Sequence, residues 1–422
     1  MIPDSNSKLR LLILTSTYPR WEGDPEPAFV HELAKRLTGQ FEVAVLGPHA
    51  AGAQDVEKMD GVNVYRYHYA PVRYETLVND GGIVANLKRA LWKWLLVPGF
   101  LFAQWMAYRR LVRDWRPDVV HAHWLIPQGL VVALGTYGAT LKPLVVTSHG
   151  ADLFAIRGRL FAWLRKKVIA KSAALTVVSR AMQDRLFQEV SRKNIVRVMP
   201  MGVDLSQRFT PAAAVLRSPR QLLFVGRLVE KKGCIFLIEA MPAVIRRFPD
   251  IKLTVVGFGP ERVQLMNRVE ELGIGESVIF SGAVPQSELA ILYQSATALI
   301  APFIEAKNGD QEGLGLVVAE AIGCHCPVVV GDVPAVHDVV DSRYCSMVTQ
   351  SDIEGLSAAI IRVIDDPRRA QLLAVQARRE IETRLSWSAV SEGYAELLAS
   401  VASHVGNKKI TSKSNGSYVD RV

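Results

Sequence analysis

The chain is predicted to be an α/β protein of two Rossmann-like domains, each a parallel sheet with helices on both faces. Short, near-continuous runs of Val, Ile and Leu recur along its whole length, and strands of that kind are buried on both faces. Helical patterns separate them, the rhythm of βαβ units. The length of 422 residues exceeds one ordinary core and fits two domains of roughly 200 residues.

Taken in order, strand-like runs fall at Leu11–Leu14, Val43–Leu46, Val62–Tyr67, Val119–His121, Leu144–Thr147, Leu175–Val178 and Val196–Met199. Helical patterns such as Pro27–Leu37 and Arg180–Glu189 lie between them. These make a first domain of residues 1–200. Residues 201–221, holding Gly202, Pro211 and Pro219, read as a linker. The second domain, 222–386, repeats the pattern. Its strands are Leu222–Val225, Lys252–Val256, Val278–Phe280, Ala298–Ala301 and Val328–Val330. Its helices are near Gly233–Arg247, Glu261–Leu272, Gln286–Gln294, Leu316–Ile322 and Ile353–Ile364. Trp387–Val401 reads as an amphipathic helix, and the polar stretch 406–422 as a disordered tail.

Apolar residues at 49% and charged residues at 22% exclude a disordered chain. Leu11–Leu14 is followed by polar residues, so it is a buried strand rather than a signal peptide. Cys234, Cys324, Cys326 and Cys345 are too few and scattered for a disulfide framework, which points to a reducing cytoplasm. Cys324-His325-Cys326 has no second ligand pair, and no metal site is expected. Residues 1–200 carry 27 Lys and Arg against 16 Asp and Glu, whereas the other 222 carry 23 against 25. Basicity confined to one half marks an anionic partner.

The densest chemistry lies in Asp310-Gln311-Glu312-Gly313-Leu314-Gly315-Leu316-Val317-Val318-Ala319-Glu320. Two glycines bring a loop into an apolar helix. At ~1.5 Å per residue the two glutamates span at most roughly 12 Å, about the reach from the sugar of a nucleotide-sugar to its ribose. N–H groups at the helix start favour a diphosphate between them. A capped surface helix with two solvated acids is the competing reading. Glu320 on the apolar side opposes it, because a buried carboxylate needs partners. In Val225-Gly226-Arg227-Leu228-Val229-Glu230-Lys231-Lys232-Gly233, Arg227 leaves a strand end and Lys232 meets a helix start. Two cations there call for an anion. Gly257 lies in a second strand-to-glycine turn, Val256-Gly257-Phe258-Gly259-Pro260. In the first half, strands end in His121, His123 and His149. No Asp-x-Asp pair occurs to hold a metal-bound diphosphate, so Arg227 and Lys232 are expected to neutralise the leaving group without one.

Together these motifs, with Thr147-Ser148-His149-Gly150 and Gly202-Val203-Asp204, resemble the retaining glycosyltransferases of family 4, which have the GT-B fold. The similarity covers about residues 9–402. Thr15–Asp24 resembles a branch that assembles bacterial polysaccharides. The resemblance implies two domains facing across a deep cleft, with a C-terminal helix of about 387–402 crossing back to the first. It assigns Arg227 and Lys232 to the β-phosphate and Glu320 to the ribose. Glu312, with the N–H groups of Gly313, Leu314 and Gly315, takes the donor sugar, and His149 sits beside the reacting sugar. It implies transfer from a nucleoside diphosphate sugar to a saccharide or lipid-linked acceptor, with no cofactor. The sequence departs from the family twice. His325 stands where a glycine is usual and is expected to strain its turn. Gly23 alone replaces a paired glycine in the acceptor-side loop.

Asn86–Arg116 suits a helix lying on an anionic membrane, through Lys88, Arg89, Trp92, Lys93, Trp94, Arg109, Arg110 and Arg113. Its apolar core, Trp94–Tyr108, is too short to span ~30 Å of hydrocarbon. A buried helix with a solvated basic edge is the competing reading. The expected location is therefore peripheral, on the inner face of the cytoplasmic membrane. Rival functions are another reaction on the same fold, such as a sugar-nucleotide epimerase or phosphorylase, and nucleic-acid binding by the basic half. The latter lacks any reading motif and leaves the glutamates unexplained.

Overall fold

The computed structural model describes residues 8–24, 26, 28–79, 82–135, 142–155, 158–189 and 196–414. Pro27, Arg157 and residues 415–422 of the expected elements lie outside the described residues. Two compact units are present. The first contains strands β1 (Leu9–Leu14), β2 (Phe41–Pro48), β3 (Val56–Met59), β4 (Val62–Tyr67), β5 (Val119–His123), β6 (Leu144–Ser148), β7 (Ala174–Val177) and β8 (Val196–Val198). They form one sheet in the order β3-β4-β2-β1-β5-β6-β7-β8, parallel except for β3, which runs antiparallel to β4. The second contains β9 (Gln221–Val225), β10 (Lys252–Val256), β11 (Val278–Gly282), β12 (Ala298–Ala301), β13 (Val328–Gly331) and β14 (Ser346–Val348). Its order is β11-β10-β9-β12-β13-β14, all parallel.

Each sheet reverses strand order beside its first strand, at β1 and at β9. Such switch points open crevices at the carboxyl ends of strands. The central strands are solidly apolar: Leu11, Leu12, Ile13 and Leu14 are fully buried, as are Leu222 and Val255. Leu237, Ile238 and Met241 from one helix and Leu356 and Ile360 from another cover the second sheet.

The structure departs from the sequence reading where burial is partial. Strand β3 alternates exposed and half-buried residues on a sheet edge, so it lacks the apolar run that marks the others. Helix Pro367–Leu385 buries mainly small residues, Ala370, Ala374 and Ala377, and is otherwise charged. Its start is nonetheless standard: Asp366 accepts from the Arg369 N–H at 3.1 Å, with Pro367 at the first position. The stretch 201–221 is no open linker. Met201, Val203, Leu205 and Phe209 are buried within the second unit, and Val203 bridges to Ser386. The final helix runs Trp387–Ser414, so 406–414 are helical rather than disordered. A helix already nucleated by packed turns propagates cheaply into polar sequence. The helix belongs to the second unit through Val390 and to the first from Ser391. There Tyr394 is buried and donates to the Met199 carbonyl at 3.1 Å.

Asn86–Arg116 is not one helix. It divides into Gly82–Arg89, a 3-10 turn Leu91–Leu95 and Leu96–Asp114. Pro98 explains the restart. It has no N–H to donate and is tolerated only in a first turn. Phe100, Gln104, Tyr108 and Val112, at near-fourfold spacing, face inward.

Candidate functional site

In the second unit, the loop after β9 and the loop after β10 approach so closely that only glycine fits at 257. A Cβ there would collide with the Gly226 carbonyl oxygen. This holds the Gly226–Gly233 turn over the carboxyl end of β9. Lys232 projects from that turn and meets Glu312, Nζ to Oε2 at 2.6 Å, with both side chains largely buried. Its ammonium also lies 4.7 Å from the centre of the Phe303 ring, just beyond β12. Lys231 binds the neighbouring loop, reaching the Asp310 carboxylate at 3.1 Å and the Gln311 carbonyl at 3.0 Å. Two successive lysines thus tie residues 310–312 to the turn after β9.

Glu312 begins the approach to helix Leu316–Gly323. Gly315 adopts a left-handed conformation, φ +86°, at the helix start, which an L side chain adopts with strain. The turn lets the Gly315 N–H donate to Glu312 Oε1 at 3.2 Å, and the Leu314 N–H also faces that carboxylate. These two N–H groups, which the resemblance assigns to a donor sugar, face the Glu312 carboxylate in this structure. Burial opposes charge on Glu312. Lys232, Lys231 and the Leu314 N–H outweigh it and hold the carboxyl at about 2. Glu320 differs. Burial raises its carboxyl above the ordinary range, only partly offset by a 2.9 Å hydrogen bond from the Tyr293 hydroxyl and by the charges of Arg208 and Lys232. Arg227 is exposed at the end of β9.

The expected His325 turn is found. His325 has φ +56°, a strained conformation for a residue with a Cβ. Its carbonyl accepts from Arg217 at 3.1 Å.

In the first unit, β5 and β6 end side by side, His123 in register with Thr147. His149 follows β6. Its Nε2 lies 2.9 Å from His123 Nδ1, with the rings stacked 5.1 Å apart and 7° from parallel. Phe29 and Trp124 close around His149, ring centres at 4.9 and 5.0 Å. The His121 ring packs against His123, centres 4.3 Å apart and tilted by 39°, and bonds Thr147 Oγ1 at 2.7 Å. Burial pushes His121 and His149 down to about 3 and His123 well below its ordinary range, so all three are neutral imidazoles near neutrality. Among the described residues, His121 Nδ1 and His123 Nε2 have no hydrogen-bond partner. Asp152 fixes the loops around them, accepting from the Leu125 N–H at 2.6 Å and from Ser148 Oγ at 2.7 Å. Gly23 lies in a turn clamped by Arg20, which binds Asp24 at 2.6 and 2.8 Å.

The structure brings Lys232, Glu312, Leu314 and Gly315 together, with Glu320 on the same helix and Gly257 beneath the turn. Sequence reading missed Lys231, Tyr293, Arg208 and Phe303. Lys231 stands beside Lys232 and could have been found. Tyr293 and Arg208 reach Glu320 only through tertiary packing.

The basic segment is mixed. Leu91, Trp92, Trp94 and Leu95 are exposed, as are Phe102 and Met106 farther along. Arg109 lies over the Trp105 ring at 4.9 Å. Arg110 and Arg113 flank Asp114, at 3.7 and 2.8 Å. Lys93 differs from its expected outward role. Its ammonium binds the Thr76 carbonyl and Asn86 Oδ1, at 2.8 and 2.7 Å. Among the described residues no helix is long and apolar enough to cross a membrane.

Comparison with known proteins agrees with this architecture. The family described as Glycosyltransferase Family 4 matches residues 28–207, and that described as Glycosyl transferases group 1 matches residues 209–380. The chain is 27% identical to a GDP-mannose-dependent alpha-(1-6)-phosphatidylinositol monomannoside mannosyltransferase of Mycolicibacterium smegmatis, over 92% of this chain and 98% of that one. Sucrose-phosphate synthase of Thermosynechococcus elongatus superposes with a TM-score of 0.75 at 20% identity, covering 94% of this chain and 100% of its own. Anabaena HepE, in complex with UDP-glucose, superposes at 0.69 and 16% identity, covering 93% and 100%. The two superpositions show the GT-B fold, and the matched families give the kind of enzyme: the chain belongs to the family 4 glycosyltransferases.

Proposed function

We propose that this enzyme moves a sugar from a nucleoside diphosphate sugar to a hydroxyl of a glycolipid or polysaccharide acceptor, with retention of anomeric configuration and without a metal. The observation that carries the reading is the Lys232–Glu312 pair at the switch point of the second sheet, with Glu320 on the adjoining helix. Lys232 and Arg227 supply positive charge for the departing diphosphate. Glu312, kept ionised, accepts from donor-sugar hydroxyls, and Glu320 from the ribose. His149 is assigned to the donor sugar, where a neutral imidazole hydrogen-bonds without adding charge. The similar mannosyltransferase acts with GDP-mannose and HepE was crystallised with UDP-glucose, so both nucleotides belong in the first screen. A donor at about 100 times its Kd should stabilise the protein by ~2.7 kcal/mol. Transfer with the anomeric configuration kept, and surviving excess chelator, is expected. Activity lost to chelator and restored by Mg²⁺ would overturn the role given to Arg227 and Lys232. Formation of an epimer or a sugar phosphate would favour the rival reactions.

The first unit is further proposed to dock on the inner face of the cytoplasmic membrane through Trp92, Trp94, Lys88, Arg89 and Arg109. The exposed Leu91–Leu95 turn beside basic residues supports this. Each basic residue near an anionic surface contributes ~1 kcal/mol, screened by salt. Co-sedimentation should rise with anionic lipid and fall when Trp92 and Trp94 become alanine. Equal pelleting with neutral and anionic vesicles would leave the turn as ordinary surface.

A further inference from the structure

Two histidines leave adjacent strands of the first sheet, away from the histidine stack. His49 follows β2 and His68 follows β4, joined by the His49 N–H to the Tyr67 carbonyl at 2.9 Å. Their rings lie 4.0 Å apart, tilted by 39°. Beneath them Glu75 has a fully buried side chain. It accepts from His49 Nδ1 at 2.5 Å, from His68 Nδ1 at 3.1 Å and from the Tyr69 N–H at 3.1 Å. One carboxylate thus sets the orientation of both rings, turning both Nε2 atoms the same way. There they face Asp55, whose Oδ1 is 3.0 Å from His68 Nε2 and 3.7 Å from His49 Nε2. The Ala53 carbonyl is 3.1 Å from His49 Nε2.

A cation bound between the two Nε2 atoms and the Asp55 carboxylate would leave each Nδ1 to donate to Glu75, and the Nδ1–carboxylate distances of 2.5 and 3.1 Å already suit that arrangement.

We propose that His49, His68 and Asp55 form a divalent transition-metal site of the zinc class, with Glu75 as the buried carboxylate that orients both imidazoles. One ligand atom from each of the three lies within 4.8 Å of the others. Tetrahedral zinc with bonds of about 2.0–2.1 Å needs ligand atoms roughly 3.3 Å apart, and the measured 3.0 and 3.7 Å bracket that value. A carboxylate behind a ligating histidine is the usual support of such a site. Two imidazoles and one carboxylate suit zinc and its neighbours rather than Mg²⁺ or Ca²⁺. Asp55 and His68 are partly exposed, which gives an ion a way in, and the fourth position is left to water. The ion would staple the ends of β2 and β4 to the start of β3. It has no part in sugar transfer.

The test uses the full chain without an affinity tag, stripped by chelator and dialysed. Titration with Zn²⁺ by calorimetry, and with Co²⁺ by visible absorption, should show one saturable site per chain with a tetrahedral Co²⁺ spectrum. Exposed His68→Ala should abolish it, together with the rise in Tm on adding Zn²⁺. Glu75→Gln keeps every ligand and should weaken binding 10–100-fold. No saturable uptake would overturn the proposal. So would uptake undiminished in both His68→Ala and Asp55→Asn, which would put the ion on thiols elsewhere.

Discussion

At the carboxyl ends of the second sheet a lysine and a glutamate meet as a full ion pair, whereas at the ends of the first sheet three imidazoles pack ring against ring, with no carboxylate among their hydrogen-bond partners in the described residues. The pair in the second sheet holds a fixed positive charge balanced by a carboxylate, which under the proposed function serves the phosphate leaving group. The histidine cluster keeps its rings neutral chiefly by burial, helped by neighbouring imidazoles, and among the described residues leaves two ring nitrogens unpartnered. Under the proposed function the difference corresponds to the two tasks of a sugar transfer. Departure of a diphosphate demands cations, while the sugar is met best by hydrogen-bonding groups that do not compete for protons.

Removing the lysine should have the largest effect. Lys232→Ala should lower kcat by about 10²–10³-fold, the usual effect of losing one preorganised group at the developing charge. It should also lower Tm, since a largely buried carboxylate loses its counter-ion. The double variant Lys232→Met/Glu312→Gln should recover much of the stability and none of the activity, separating the two effects in one cycle. Near-normal turnover in Lys232→Ala would remove the ion pair from the chemistry. Glu320→Ala should instead act on nucleotide affinity, by about 1.5–3 kcal/mol for a charged hydrogen bond, with a smaller change in kcat.

Acid should then tell the units apart. His121 titrates near 6.5 when unfolded and about 3 when folded. Below 6.5 the unfolded chain therefore binds protons that the folded one refuses, and stability falls as pH drops through that window. By pH 5 the loss is about 2 kcal/mol for one fully buried histidine. The stability contributed by Glu312 is complete above its ordinary 4.5 and is lost only as pH falls toward about 2. The first unit should weaken first on acidification, in denaturation curves taken between pH 7 and 5. His121→Gln should flatten that dependence. A wild-type protein equally stable at both pH values would show that the stack is not neutral.

The smallest effect is expected within the second unit, where the left-handed His325 stores strain. His325→Gly removes a left-handed conformation worth ~1–2 kcal/mol and adds ~0.5–1 kcal/mol of unfolded-state entropy. A net gain of about 0.5–1 kcal/mol, or roughly 1–3 °C in Tm for a unit of this size, is expected. A loss of stability would mean that the imidazole makes contacts outweighing its strain.

Much of this was legible in the sequence because burial leaves a one-dimensional record. Strands covered on both faces must be apolar throughout, so the central strands of both sheets could be read directly. Glycine is needed where backbone turns left-handed or two loops touch, so Gly257 and Gly315 marked tight turns at the ends of the second sheet before any contact was known. The two glutamates and Lys232 were readable because their spacing to glycine is local. What depends on distant segments was not. The edge strand β3 and the charged helix Pro367–Leu385 earn their places from neighbours rather than from their own pattern. The destination of the Leu314 and Gly315 N–H groups followed from how Glu312 folds back. The Tyr293–Glu320 bond joins residues 27 apart. The sharing of Glu75 by His49 and His68 joins positions 26 and 7 residues away. Sequence records which residues prefer burial or a turn. Only packing decides which polar atoms then find one another, because that depends on strand order, and strand order leaves no local trace in the chain.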